Sequence, residues 1–267
     1  MMGPIVRAHD FVPQLDKPYY INEKEFAKGF YLIISGLIKK LVISDYITLN
    51  LVDYIFDNPS LHTGLENLIA LYGYAMVIYC DFSGYSDVAI GMALWLGFKI
   101  PPNFLSPYQS ANITEFWRRW HISLSSWLKD YLYIPLGGNR NATFGSYLFV
   151  ILFLIGSFMM LSHLFSLSYL YSGLITFGLL MIFVLPPLLK RNNKGIAANF
   201  NLLTTMLLGG FWHGASWNFI IWGALHGIAL GIHKIWMMMT GKAFARFNNS
   251  KRSEEHTSEL QSLVIIS

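Results

Sequence analysis

The sequence predicts an all-α protein, a polytopic membrane helix bundle with re-entrant or interfacial helices. Three observations predict it. Hydrophobic residues make up 54% of the 267 and charged residues only 13%, about half the roughly 25% of an average soluble domain. Residues 144–165 and 167–189 are near-continuous apolar stretches of spanning length,. The basic residues flank apolar segments and form no stripe on a soluble face, which argues against nucleic-acid binding. The formal net charge is +4. Cys80 is the one cysteine, so an internal disulfide or a CxxC redox or metal site is excluded,.

In chain order, residues 1–28 are polar, carry Pro4, Pro13 and Pro18, and lack the apolar core of a signal peptide,. Residues 3–15 read as a loop, of the kind found inside a longer protein. Residues 26–43 are apolar but interrupted by Lys39-Lys40, which suits a helix end reaching towards a surface or a helix lying in the interface,. Residues 45–56 continue as a short amphipathic piece and stop at Asn58-Pro59,. Residues 65–98 are long enough to span. Asp81, Gly84 and Asp87 lie in the middle of them, which predicts a broken helix with the two carboxylates as caps at the break in preference to a catalytic role,.

Pro101-Pro102-Asn103 ends that element. Asn112 with Glu115 three residues later reads as a capping box,. The helix it opens carries Trp117, Trp120, Leu124, Trp127, Leu128 and Tyr131 on one face, with Arg118, Arg119, His121, Ser125 and Lys129 off it,. Pro135 and Gly137-Gly138 terminate it,. The two apolar stretches that follow are separated only by a tight turn at Ser166. Arg140 before the pair and Lys190, Arg191 and Lys194 after it place both hairpin ends on the cytoplasmic side,. Residues 197–213 head back into the membrane, residues 216–239 return, and Lys242 and Arg246 mark the cytoplasm again.

His213, within Gly-Gly-Phe-Trp-His-Gly, is the most informative residue. Its nearest charged neighbours in sequence are Lys194 and Lys234. An ionisable group in such a span is either held by hydrogen-bond partners or used in function. His226 and His233 share a face of the last helix, and His226 is a candidate second polar group facing the His213 segment. No recognised metal-ligand spacing is present. The serines around Ser123 lie in no nucleophile elbow or triad order.

Six ordered motifs carry a resemblance: Gly3-Pro4-Ile5-Val6-Arg7, Gly36-Leu37-Ile38-Lys39-Lys40, the run from Asp81 to Asp87, the run from Glu115 to Ser125, the run from Asp130 to Arg140, and Phe211-Trp212-His213-Gly214. Together they resemble the membrane-bound O-acyltransferase family, in its alginate O-acetyltransferase branch, with teichoic-acid D-alanyl transfer proteins as more distant relatives. The resemblance implies an acyl group, typically acetyl, taken from acetyl-coenzyme A as donor substrate with no bound cofactor. The group passes to a hydroxyl of an exported polysaccharide through a periplasmic acetyltransferase-like partner, at the bacterial inner membrane. It assigns His213 as general base and His121 as a second polar group that orients substrate or polarises the thioester carbonyl. The structural alternative for His121 is a histidine bonded to Ser125 or a backbone carbonyl.

Arg118, Arg119 and Arg140, with Trp117, Trp212 and Asn139, are the expected substrate contacts. For the cations the alternative is topology and contact with anionic membrane lipid. D-alanyl transfer, or a non-catalytic acyl channel or transporter, are the competing functions. The resemblance also implies that residues 1–251 are an incomplete membrane domain with helices missing at both ends. Residues 252–262 resemble a translated sequencing adapter, so 252–267 are expected to be a non-native tail,.

Overall fold

A computed structural model describes residues 3–18, 22–140, 143–164, 166–183, 194–214, 216–237 and 239–240. The chain divides into two compact units, Met1–Ala111 with Glu115–Trp127, and Asn112–Thr114 with Leu128–Ser267. The described residues are helical or irregular, without strands.

In the first unit, helix α1 (Ala8–Leu15) occupies part of the stretch expected to be a loop. Tertiary contacts override its weak local pattern. Phe11 packs on Phe98 with ring centroids 5.0 Å apart. The Gln14 amide exchanges two hydrogen bonds with the main chain of Lys99, at 3.0 and 2.8 Å. Helix α2 (Glu23–Leu37), capped by Asn22, does not stop at the lysine pair. Its turns widen to π-helix over Ile38–Ser44 and again over Thr48–Val52.

Helix α3 (Gly64–Trp95) starts at a complete capping box made by Thr63 and Glu66. It runs unbroken for 32 residues, about 48 Å at 1.5 Å per residue, which exceeds the hydrocarbon thickness of a bilayer. The expected mid-span break is therefore wrong, and so is the assignment of Asp81 and Asp87 as caps. Their charge is met across the interface with the preceding helical run. Lys39 Nζ reaches Asp87 at 2.6 Å, and Lys40 bridges Asp81 and Asp45 at 2.5 and 2.9 Å. Gly84 needs no break either, because it is a contact point. A Cβ on Gly84 would lie 2.7 Å from the Gly36 carbonyl, and one on Gly91 would lie 2.6 Å from the Gly29 carbonyl. Small residues allow such close approach of backbones, which substitutes dispersion contact for a hydrophobic driving force in lipid.

The expected single aromatic helix after Asn112 is also split. Helix α4 (Ile113–Arg119) ends, and helix α5 (Ile122–Leu128) begins after a sharp change of direction. His121 stands at that corner with φ 41°, in the left-handed region. For a residue with a Cβ this costs roughly 1–2 kcal/mol and must be offset by fixed contacts.

In the second unit, a π turn at Lys129–Tyr133 leads into a loop whose Gly137 and Gly138 have φ 109° and 56°. Glycine suits both positions because it has no side chain to clash there. Helices α6 (Phe144–Met159) and α7 (Tyr169–Phe183) pack as the expected hairpin. Ser166, at φ 51°, makes the turn between them. Helix α8 (Lys194–His213) and helix α9 (Trp217–Met237) close against each other at glycines. Cβ atoms on Gly210 and Gly223 would collide with the carbonyls of Phe219 and Met206. Among the described residues, Phe144–His163 and Trp217–Met237 are long and apolar enough to cross a membrane. The basic positions Lys190, Arg191, Lys242 and Arg246, and the tail 252–267, lie outside the described residues.

Candidate active site

The two units each hold one of the expected histidines. In the first, His121 is 5% exposed and sits edge-on to Phe82, with ring centroids 4.6 Å apart. Its Nδ1 lies 3.0 Å from Asn103 Oδ1. Asn103 is itself 1% exposed. It arrives there because residues 96–112 fold back along α3. The Asn103 carbonyl accepts the Ile122 N–H at 2.9 Å, and its side-chain oxygen takes the Ser123 N–H at 3.3 Å and the Ser123 hydroxyl at 2.8 Å. Its Nδ2 donates to Ser86 Oγ, a buried group of α3, at 3.1 Å. Ser123 Oγ in turn accepts the Ile5 N–H at 2.9 Å. One asparagine thus ties the His121 ring and the start of α5 to the long helix. Of the expected alternatives for His121, the side-chain bond to Ser125 is not what forms. Ser125 Oγ donates to the Trp120 carbonyl, and its N–H to the His121 carbonyl.

Around this cluster Phe104, Trp120, Tyr79, Tyr108 and Phe116 pack ring to ring. Trp117 lies edge-on to Phe116 at 5.8 Å. Arg118 is exposed. Arg119 is committed to Glu115 one turn earlier. Glu115 Oε2 also accepts the Ala111 N–H at 2.9 Å, one residue before the Asn112 that the capping box predicts. That main-chain donor and the Arg119 guanidinium hold its carboxyl below the usual range,.

In the second unit His213 is the last residue of α8 and is exposed. Its ring meets Trp212, Phe219 and Trp222, with centroids 5.1, 5.9 and 5.1 Å away. Among the described residues it has no hydrogen-bond partner. Trp222 also contacts His226, at 4.6 Å, so the two imidazoles share one indole. His233 Nδ1 pairs with Thr114 Oγ1 at 2.8 Å. Asn139 and Arg140 are exposed on the glycine loop. Asn139 Oδ1 accepts from Tyr133 OH and Lys234 Nζ, both at 2.8 Å. The loop is further held by buried Asn201 of α8, whose Nδ2 donates to the Gly138 carbonyl at 3.0 Å. No group of three His, Cys, Asp or Glu able to hold a metal is present among the described residues.

Sequence reasoning missed Asn103, Ser86 and Asn201. Asn103 was read only as part of a Pro-Pro-Asn stop. The available signal was an amide side chain inside an apolar run, which demands a partner when buried.

Comparison with known proteins gives the family context. Residues 1–186 match the model of the membrane-bound O-acyltransferase family. The chain is 38% identical to a peptidoglycan O-acetyltransferase of Helicobacter pylori, over 90% of this chain and 36% of that protein. It is 40% identical to a probable alginate O-acetylase of Azotobacter vinelandii, over 87% of this chain and 36% of the relative. A teichoic acid D-alanyltransferase of Bacillus subtilis is 36% identical over 49% of this chain. The chain thus spans about a third of the length of the curated relatives it matches. A match over 90% of the chain leaves too few residues outside it to reach His121 or His213, so both fall within the shared region.

Proposed function

The chain belongs to the membrane-bound O-acyltransferase family, and on that premise we propose that it serves a membrane enzyme moving an acyl group, typically acetyl, from a cytoplasmic thioester donor to hydroxyls of an exported polysaccharide such as alginate. The observation that supports this most is the built hydrogen-bond site around His121, lying within a region shared with relatives named for O-acetylation. D-alanyl transfer ranks below it, because the teichoic acid D-alanyltransferases match less well, at 36% identity over 49% of the chain or 27% over 88%.

The proposed chemistry is a direct displacement. Neutral His213 takes the proton of the acceptor hydroxyl while that oxygen attacks the thioester carbonyl carbon. The C–S bond then breaks, the thiolate takes the proton from the imidazolium, and ester, thiol and neutral imidazole result. His213 suits this role because its ring stands among aromatic walls with no side chain competing for its nitrogens among the described residues. Arg118 and Arg140, both exposed, are proposed to meet the phosphates of acetyl-coenzyme A,, with Trp117, Trp212 and Asn139 as further substrate contacts. Arg119 acts on Glu115 first. Membrane lipid and a periplasmic acetyltransferase-like protein are the proposed partners. The basic hairpin ends face the cytoplasm of a multi-pass protein in the bacterial inner membrane.

The test is reconstitution of the full-length protein in liposomes with labelled acetyl-coenzyme A. Label appearing in a polysaccharide acceptor supports the reading. Labelled thioester left unconsumed by properly inserted protein contradicts it and favours a non-catalytic channel. Residues 252–267 are proposed to lie outside the acyltransferase domain of residues 1–251. Resequencing the locus tests this, and an encoded tail contradicts it.

A further inference from the structure

We infer that Asn103 is a positioning residue that fixes the tautomer of His121, so that His121 acts through Nε2 as a hydrogen-bond acceptor and not as a polariser of the thioester carbonyl. The inference rests on the proposed acyl-transfer role of His121 and specifies it.

The argument runs through hydrogen-bond polarity. A backbone N–H can only donate, and that of Ser123 points at one terminal atom of the Asn103 amide. That atom is therefore the oxygen, and the amide nitrogen is the one facing Ser86 Oγ. This settles an orientation that heavy-atom positions alone leave ambiguous. The Ser123 hydroxyl already receives the Ile5 N–H, so it spends its own proton on Asn103 Oδ1 at 2.8 Å, and not on His121 Nδ1 at 3.5 Å. His121 Nδ1 now faces a carbonyl oxygen at 3.0 Å. Two lone pairs at that distance repel, so Nδ1 carries the proton. In the neutral ring the second nitrogen then has the lone pair.

The setting makes the choice firm. His121 is 5% exposed, and its ring is confined edge-on to Phe82 at 4.6 Å, at a corner whose backbone is itself fixed. Asn103 grips that corner by its main chain at Ile122 and by its side chain at Ser123. Of the two roles the sequence left open, polarising a carbonyl needs an N–H donor at the reacting group. Orienting an incoming hydroxyl needs an acceptor. The geometry supplies the acceptor.

The experiment is nitrogen-15 NMR of histidine-labelled full-length protein in nanodiscs at neutral pH, with the His121 signals assigned by their loss in His121→Gln. Expected is an Nδ1–H, unprotonated Nε2 signature. In Asn103→Ala that signature collapses to a tautomer mixture, and kcat falls on the order of 10- to 100-fold, as when an outer partner that orients a functional histidine is removed, with KM for the thioester unchanged. Asn103→Asp keeps the acceptor oxygen and restores the Nδ1–H signature. An Nε2–H signature in the unaltered protein overturns the inference. So does an inserted Asn103→Ala protein with signature and kcat unchanged. If Asn103→Ala fails to insert, Asn103→Asp decides: Nδ1–H supports, Nε2–H overturns. Failure of the acyl-transfer reading shows separately, as thioester turnover indifferent to His213→Ala.

Discussion

The two histidines sit in opposite kinds of surroundings. His121 is buried, held at a strained corner, and committed through one nitrogen to an asparagine that is itself tied to three other residues. His213 ends a helix, is exposed, and among the described residues its ring meets aromatic rings and has no hydrogen-bond partner. The first is preorganised by the fold and carries a fixed donor and acceptor. The second has a ring oriented by its neighbours but a proton inventory left to substrate. A general base needs such freedom, since it must gain and lose a proton in each cycle. A positioning acceptor needs the reverse.

Several substitutions break or sharpen that contrast. The largest effect is expected from Gly84→Leu. Its side chain has no room against Gly36, and overpacking a tight contact costs about 1–3 kcal/mol or more. The same helix carries Ser86, so the His121 site should be lost with it. Yield of inserted, monodisperse protein measures this. A Gly231→Leu control, at a position where an added Cβ meets nothing within 4 Å among the described residues, should insert normally.

Next is His121→Ala, which removes a buried ring packed on Phe82 together with its bond to Asn103 and should lower stability by about 1–3 kcal/mol,. His213→Ala should stay within roughly 0.5 kcal/mol of the parent, as an exposed change does. Thermal melts in detergent compare the two, and equal losses contradict the assignment of one histidine as built in and the other as open.

Ser86→Ala should sit lower on the same scale, at about 1 kcal/mol, because the Asn103 amide loses one of several bonds,.

The smallest effect concerns Glu115. Its carboxyl is held below the usual range by the Ala111 N–H first and then by Arg119. A depressed carboxylate contributes stability that is full above its unfolded value and lost as pH falls through its folded value. Melts of the parent should therefore decline slightly more below the ordinary glutamate range, near 4.3, than those of Glu115→Gln. Identical acid profiles contradict the capping role.

The sequence made the membrane class, the α6–α7 hairpin, the turn at Ser166 and both histidines legible, because each shows in local pattern. Apolar length announces a span, and a polar residue inside one announces itself by its cost. It misled at α3 for a physical reason. Two carboxylates and a glycine in an apolar helix look like a break when read alone. Lys39, Lys40 and Gly36 answer them from a segment far away in sequence, and only the packed pair shows it. The corner at His121 was hidden in the same way. Residues 113–131 have good helical periodicity throughout, and the group that bends them is Asn103, which lies outside the motif.

The central claim is that His213 is the base for acyl transfer, and the most direct measurement is the acylation rate of the full-length His213→Ala protein against its parent. The account predicts a loss of about 10²–10⁴-fold with insertion and the His121 tautomer signature unchanged. An undiminished rate in properly inserted protein contradicts it.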